Sequence, residues 1–435
     1  MKISQKWATA LVVTGLIIGL WNTAQLAVQL VDTEKDALQG NTEGSAETPA
    51  NLVGEWRKKL AVALNPHLLG SPLPLELALD ATKPDELSLM SYSIRQDLQD
   101  KCDQILRQYK PDFGAIVLME ADTGRLLSLA QFIKSDEAKY KPFYAYPLPA
   151  ASVFKIVTAA AAIDKYQLSP DSTLNFMGGN YTLYKRNVVG PQNSRWSQRV
   201  TLREAFARSF NTAFGRLAIE HLQAADLIEY AFRFGFNREI PSELSIPLGK
   251  VKIPQDSSDF EMAELASGFN KVTQMSAVHG AMIAGAIANE GLLVAPSLVD
   301  RVTSKDQEVL FQNHSISLDP VLSKSAAADL RKLMNATLEI GTSRKSFLSF
   351  KRRKILQSIE MGGKTGSLTS PEPKGKLDWF VGYIQETGQK PISISVVTVH
   401  EKYWTVKSAT VAQQVFAKYI GDTGARNFKR RADRQ

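Results

Sequence analysis

Residues 115–129 read AIVLMEADTGRLLSL. Ala115–Met119 is a β-rich apolar run, Asp122-Thr123-Gly124 is a tight-turn signal, and Leu126–Leu129 resumes in extended form, so the stretch is a β-hairpin. Just before it, Ser93–Tyr109 places Ile94, Leu98, Cys102, Ile105 and Leu106 at helical spacing and predicts an amphipathic helix. Strand patterns return near the far end, in Trp379–Tyr383 (WFVGY) and Ile392–Val399 (ISISVVTV), followed by a helix over Ala409–Ile420. Between the two strand regions lie helical patterns at Val153–Tyr166, Leu202–Leu222, Ala224–Phe234 and Val272–Ala288. Strands near both ends with helices between them predict an α+β fold. One antiparallel sheet, flanked by helices, is left and re-entered by the chain, and the long middle forms an adjoining helical lobe.

The whole chain has 435 residues, 44% hydrophobic and 22% charged, which is enough to bury more than one core and excludes wholesale disorder. Its net charge of +8 is modest for this length and does not by itself imply nucleic acid. A single cysteine, Cys102, excludes an internal disulfide and a cysteine-based zinc cluster, and the five histidines are too scattered for local ligand spacing. Cys102 therefore reads as a core residue. At the amino terminus no charge interrupts the segment from Trp7 to Val31, and Trp7–Trp21 (WATALVVTGLIIGLW) is almost wholly apolar. With Lys2 and Lys6 before it, residues 1–31 are expected to be a cytoplasmic tip and one transmembrane helix that sends the body outward. A cleaved signal peptide is the alternative, but no clean Ala-x-Ala step follows Trp21. Residues 32–50 read as a flexible tether, 51–91 as a small N-terminal region without an assigned role that is helical or irregular from Leu52 to about Leu79, and 421–435 as a basic tail. The basic runs at Arg344, Lys345 and Lys351–Lys354, and at Arg426–Arg434, read as solvated faces.

Three segments carry chemistry. In Pro147–Asp164 (PLPAASVFKIVTAAAAID), Ser152 opens an Ala-rich helix and Lys155 follows one turn along on the same face. A serine hydroxyl is a nucleophile only if a base takes its proton, and a lysine serves only when burial or neighbouring positive charge lowers its pKa. Ser-x-x-Lys alone is weak, since chance supplies it about once or twice in a chain this long. Ser209-Phe210-Asn211 interrupts a helical pattern with a hydroxyl and an amide, which marks either a helix boundary or a functional loop. Gly362-Gly363-Lys364-Thr365-Gly366-Ser367 lets a substrate backbone approach closely and adds a cation and a hydroxyl. Its glycine spacing, and the strand that follows, do not fit a phosphate loop.

Taken in order, Ser152-Val153-Phe154-Lys155, Ser209-Phe210-Asn211 and Lys364-Thr365-Gly366 resemble the three motifs of the penicillin-binding proteins and serine β-lactamases. The segments GAIVLMEADTGRLLSLA, VTQMSAVHGAMIAGAIANEGLLVAPSLV, GTSRKSF and WFVGY resemble the transpeptidase domain of that family, and the likeness covers about residues 92–420. The resemblance implies a β-lactamase/transpeptidase-like fold and a membrane-anchored D,D-transpeptidase that cross-links peptidoglycan stem peptides and binds β-lactams covalently. Ser152 would attack a D-Ala-D-Ala donor, with Lys155 as proton acceptor and Ser209 passing the proton to the leaving D-alanine. Asn211 would hold the substrate amide and Lys155, and Lys364 would stabilise charge beside Ser209. Thr365 and Gly366 would bind the donor and its carboxylate, and the N–H groups of Ser152 and Ser367 would form the oxyanion hole. No cofactor, metal or nucleic acid is implied. The body would lie outside the bacterial cytoplasmic membrane. The region ahead of the hairpin is far too short for a glycosyltransferase domain, which leaves a glycan polymerase as a separate partner. Two residues depart from the usual pattern, Phe210 within the second motif and Ser367 after Lys-Thr-Gly. The same motifs serve a D,D-carboxypeptidase, with water as acceptor, and a β-lactam sensor or scaffold without turnover. The middle segment favours transfer.

Overall fold

A computed structural model describes residues 49–68, 73–135, 142–190, 197–247, 249–252, 258–351 and 359–432. The expected membrane segment, most of the tether, and Arg352–Lys354 lie outside the described residues. Among the described residues, no helix is long and apolar enough to cross a membrane. The chain divides into two units, Met1–Leu52 and Val53–Gln435.

In chain order the second unit begins within helix α1 (Pro49–Leu64) and continues through β1 (Glu76–Ala78), β2 (Leu87–Tyr92), α2 (Gln96–Tyr109), β3 (Phe113–Glu120) and β4 (Leu126–Ile133). A helical stretch follows: α3 (Lys155–Asp164), α4 (Leu202–Ala207), α5 (Asn211–His221), α6 (Ala224–Arg233), α7 (Asp259–Ser267) and α8 (Ala277–Ala288). The chain then forms β5 (Val299–Thr303), β6 (Val309–Gln312), α9 (Lys324–Glu339), α10 (Arg344–Lys351), β7 (Ile359–Ser370), β8 (Gly375–Glu386), β9 (Ile392–His400) and α11 (Ser408–Ala432).

The main sheet has the order β7-β8-β9-β3-β4 and is antiparallel throughout. The hairpin thus joins the carboxy-terminal strands, with Val117 opposite Ser395 and Leu129. Both faces of the sheet are covered, so its strands read as continuous apolar runs rather than as alternation. Ile116 and Leu118 on β3 face Leu98, Cys102 and Ile105 of α2 and Val411, Val415 and Phe416 of α11. Ala115, Val117 and Met119 face α8 and the helical lobe. Cys102 is buried here, and burial pushes its thiol up to about 12, so it is an inert core residue.

The expected elements differ from the observed ones where local signals competed. The pattern over Leu202–Leu222 is two helices, α4 and α5, separated at Ser209, whose φ is +60°. The last helix of the lobe begins at Ala277 rather than Val272 because the Ser276 hydroxyl caps it, accepting from His279 N at 3.2 Å. Ser152 lies in a 3-10 turn, Ala151–Phe154, that leads into α3. The final helix keeps its backbone turns to Ala432, past the expected end at Ile420 and through the start of the expected tail. Residues 76–78, expected to be helical or irregular, and 87–92, where no element was expected, are strands. They form a second sheet, β1-β2-β5-β6, with two strands from the far side of the lobe.

Candidate active site

Three elements meet at one cleft. The 3-10 turn packs against β7, the edge strand of the main sheet, and the α4–α5 break closes the third side. Gly366 permits this approach, since a Cβ there would lie 3.1 Å from Val153 Cγ2 and 3.3 Å from both the Ala150 carbonyl oxygen and Val153 N. Trp379, buried on β8, pins the turn from behind by donating Nε1–H to the Pro149 carbonyl at 2.9 Å. As an edge strand, β7 presents outward N–H and C=O groups that an extended peptide can pair with.

Lys155 Nζ lies 2.9 Å from Ser152 Oγ and 2.7 Å from Asn211 Oδ1. Asn211 is oriented in turn by its Nδ2, which donates to the Tyr181 carbonyl at 2.7 Å. Lys364 Nζ donates to Ser209 Oγ at 2.8 Å and to the Thr365 carbonyl at 2.7 Å. The left-handed backbone at Ser209 turns its hydroxyl toward β7, and a serine in that conformation is uncommon outside functional loops. Phe210 points the other way. It fills a slot between Phe176 and Tyr181, at ring distances of 5.9 and 5.8 Å, which explains an aromatic residue between two polar ones.

Both lysines are fully buried, and each lies 5.6 Å from an aromatic ring, Lys155 from Phe214 and Lys364 from Phe206. Burial lowers Lys155 well below its usual value, and the charge of Lys364 lowers it further. Burial also lowers Lys364, to about 7. Two ammonium groups in one dry cleft oppose each other, so the arrangement favours one neutral amine beside Ser152 and one cation beside Ser209.

Thr365 and Thr342 join their hydroxyls, and Ser367 Oγ donates to Asp378 Oδ1 at 3.0 Å. Asp378 also accepts from Ser408 N at 2.7 Å, fastening β7 and β8 to the start of α11. Three contributors carried no assigned role in the sequence. Thr342 lies between the second and third motifs, Asp378 precedes the tryptophan of a strand, and the Ser267 carbonyl, which accepts from Lys155 Nζ, is a main-chain atom that no residue type announces. The eight candidate residues otherwise all belong to this cleft or to the strand that lines it.

Residues 114–421 match the family model described as penicillin binding protein transpeptidase domain. The chain belongs to that family. Among curated relatives, it is similar to the peptidoglycan D,D-transpeptidase PbpA of Mycobacterium tuberculosis, 25% identical over 325 residues, 66% of this chain and 62% of that protein. It is also similar to the penicillin-binding protein PbpB of Mycolicibacterium smegmatis, 24% identical over 311 residues, 66% of this chain and 45% of that protein. The chain thus spans less than two thirds of the length of the curated relatives it matches. Among solved structures it resembles the D,D-transpeptidase domain of a peptidoglycan glycosyltransferase from Eggerthella lenta. That likeness has a TM-score of 0.66 and 24% identity, and covers 83% of this chain and 92% of that one. It also resembles the imipenem acyl-enzyme complex of penicillin-binding protein A from M. tuberculosis, with a TM-score of 0.63, 20% identity and coverage of 76% and 80%. These two likenesses establish the fold of the family, an α+β transpeptidase architecture.

Proposed function

We propose that this protein is a membrane-anchored peptidoglycan D,D-transpeptidase that works through a serine acyl-enzyme. The observation that carries the reading is the pair of buried lysines, one on the nucleophile and one on the second serine. Ser152 Oγ attacks the carbonyl carbon between the two D-alanines of a donor stem peptide as neutral Lys155 takes its proton. The oxyanion is received by the N–H groups of Ser152 and Ser367, and the donor strand lies along β7 with its carboxylate near Thr365 and Lys364. Ser209 relays the proton taken by Lys155 to the departing D-alanine nitrogen, the C–N bond breaks, and an ester remains on Ser152. A second stem peptide's amine then attacks the ester, loses its proton to the same relay, and frees Ser152 with a new amide as the cross-link. The apolar run Trp7–Trp21 behind Lys2 and Lys6 supports a single-pass anchor with the body outside the cytoplasmic membrane, beside a separate glycan polymerase.

Incubation with penicillin should add one penicillin mass to the intact protein, and Ser152→Ala should show none. A stem pentapeptide with an amine acceptor should yield the cross-linked product in excess of the hydrolysed tetrapeptide. Hydrolysis alone would make the enzyme a carboxypeptidase, and the absence of any adduct would end the reading.

The pH dependence has a defined sign. Acylation needs Lys155 neutral, so the rate climbs as Lys155 loses its proton. It also needs Lys364 charged, so the rate falls as Lys364 titrates. The profile of the second-order acylation constant is expected to be a bell whose alkaline limb is centred near the Lys364 value of about 7, far below the ordinary lysine value of 10.5. A rate that stays level through pH 9 would remove Lys364 from the charged role.

A further inference from the structure

Lys155 has a third partner that no motif supplies. Its Nζ donates to the main-chain carbonyl of Ser267, the last residue of α7, at 2.5 Å. We infer that the carboxy-terminal end of α7, Ser267 together with Gly268, is a positioning element that aims the lone pair of Lys155 at Ser152. This inference rests on the transpeptidase reading above and deepens it.

The donors and acceptors around Lys155 fix the orientation of its amine. A neutral amine has two N–H bonds and one lone pair. Asn211 Oδ1 and the Ser267 carbonyl oxygen can only accept, and Asn211 cannot be reversed without losing the bond from its Nδ2 to Tyr181. Both N–H bonds of Lys155 are therefore committed. The remaining direction, that of the lone pair, faces Ser152 Oγ, the one partner of the three with a proton to give. Without the Ser267 carbonyl the amine is free to turn an N–H toward Ser152, and in that orientation it is no base. Ser267 and Lys155 are both fully buried, so bulk water does not stand in for the missing acceptor. Once the proton has moved, the ammonium donates to all three oxygens. The negative end of the α7 dipole then faces the new charge, so the same carbonyl serves both states. The charge that opposes it is that of Lys364, on β7.

The spacing between α7 and the nucleophile turn is set by two left-handed residues in contact. Ala151, directly before Ser152, has a φ of +48°, and Gly268, which caps α7, has a φ of +66°. A Cβ on residue 268 would stand 2.0 Å from the Ala151 carbonyl oxygen and 3.2 Å from Ser152 N. Only glycine fits both the space and the backbone angle. An alanine held left-handed is strained, and here the strained turn is seated directly against the helix end that holds the base.

The test compares wild type, Gly268→Ala and Ala151→Gly in the full chain, by penicillin acylation against pH, the fraction of protein acylated, and melting temperature. Gly268→Ala is expected to lower the plateau acylation rate constant about 100-fold. It should also move the acid limb about one pH unit lower, because the ammonium loses an acceptor. A purely structural lesion would shrink the acylated fraction and leave the limb in place, and that result overturns the inference. If Gly268→Ala does not fold, Ala151→Gly decides. It relieves the strained angle, so the melting temperature should hold, yet acylation should fall about tenfold as the seat loosens. A wild-type rate in either variant overturns the inference. A wild-type protein that takes no penicillin refutes the transpeptidase reading itself, a different failure from the first.

Discussion

Lys155→Met is expected to lower the penicillin acylation rate constant by about 10³-fold or more while raising the melting temperature at neutral pH. The kinetic half follows from geometry, since Lys155 Nζ is the basic group at Ser152 Oγ, and Lys364 is engaged with Ser209 and Thr365 instead. The stability half follows from linkage. In the unfolded chain Lys155 titrates near 10.5, and burial in the fold lowers it well below that value. Between the two values the unfolded state holds a proton that the folded state lacks, so wild-type stability rises with pH across that window and falls as pH drops through the folded value. Methionine carries no such term. Its curve should be flatter over the window and lie above wild type at pH 7. Opposing this, the oxygens of Asn211 and Ser267 lose a donor, at about 1 kcal/mol each. Desolvation dominates the shift of Lys155 despite its three hydrogen-bond acceptors, so the net effect favours the variant. Acylation within tenfold of wild type would place the base elsewhere, and a lower melting temperature would show that those hydrogen bonds outweigh burial.

The contrast between legible and illegible parts of this molecule follows from what side chains can advertise. The hairpin around Asp122-Thr123-Gly124 and the apolar runs at Trp379 and Ile392 were readable because strands buried on both faces are nearly uninterrupted hydrophobic text. Strand β7 was harder to see, because its Gly362, Gly363 and Gly366 have weak strand propensity and look like a loop. They form strand because β8 supplies a full antiparallel register from Ile359 to Ser370. β1 and β2 escaped notice for another reason: they are short, partly exposed, and complete a sheet only with β5, more than two hundred residues away in sequence. Within the site, residue types that announce chemistry were visible, whereas the left-handed turns at Ala151 and Ser209 and the Ser267 carbonyl are backbone facts that only the fold creates.

The largest expected loss of stability lies far from the cleft, at Arg57 on α1. Its guanidinium is fully buried and donates to the Pro241 carbonyl at 3.0 Å, Asn313 Oδ1 at 3.0 Å and the His314 carbonyl at 3.2 Å. Its Nε lies 3.8 Å from Glu243 Oε1, with neither atom hydrogen-bonded, although Glu243 Oε2 accepts from Leu298 N at 3.3 Å. Arg57→Ala therefore strands a buried carboxylate and two carbonyls together, and is expected to cost about 3–5 kcal/mol in urea or thermal unfolding. The dependence on pH separates the charge from the lost packing. Burial raises the Glu243 pKa, and removing the arginine takes away the opposing charge and raises it further. A raised carboxyl contributes its stability below the unfolded value and loses it as pH rises through the folded one, so the defect of Arg57→Ala should be largest near neutrality and shrink in mild acid. Replacing both partners, as in Arg57→Met with Glu243→Met, removes two desolvation costs and an ion pair whose facing atoms make no hydrogen bond. The double variant should recover most of the loss. If it is no more stable than Arg57→Ala, the three hydrogen bonds of Arg57, and not its charge, fasten α1 to the body.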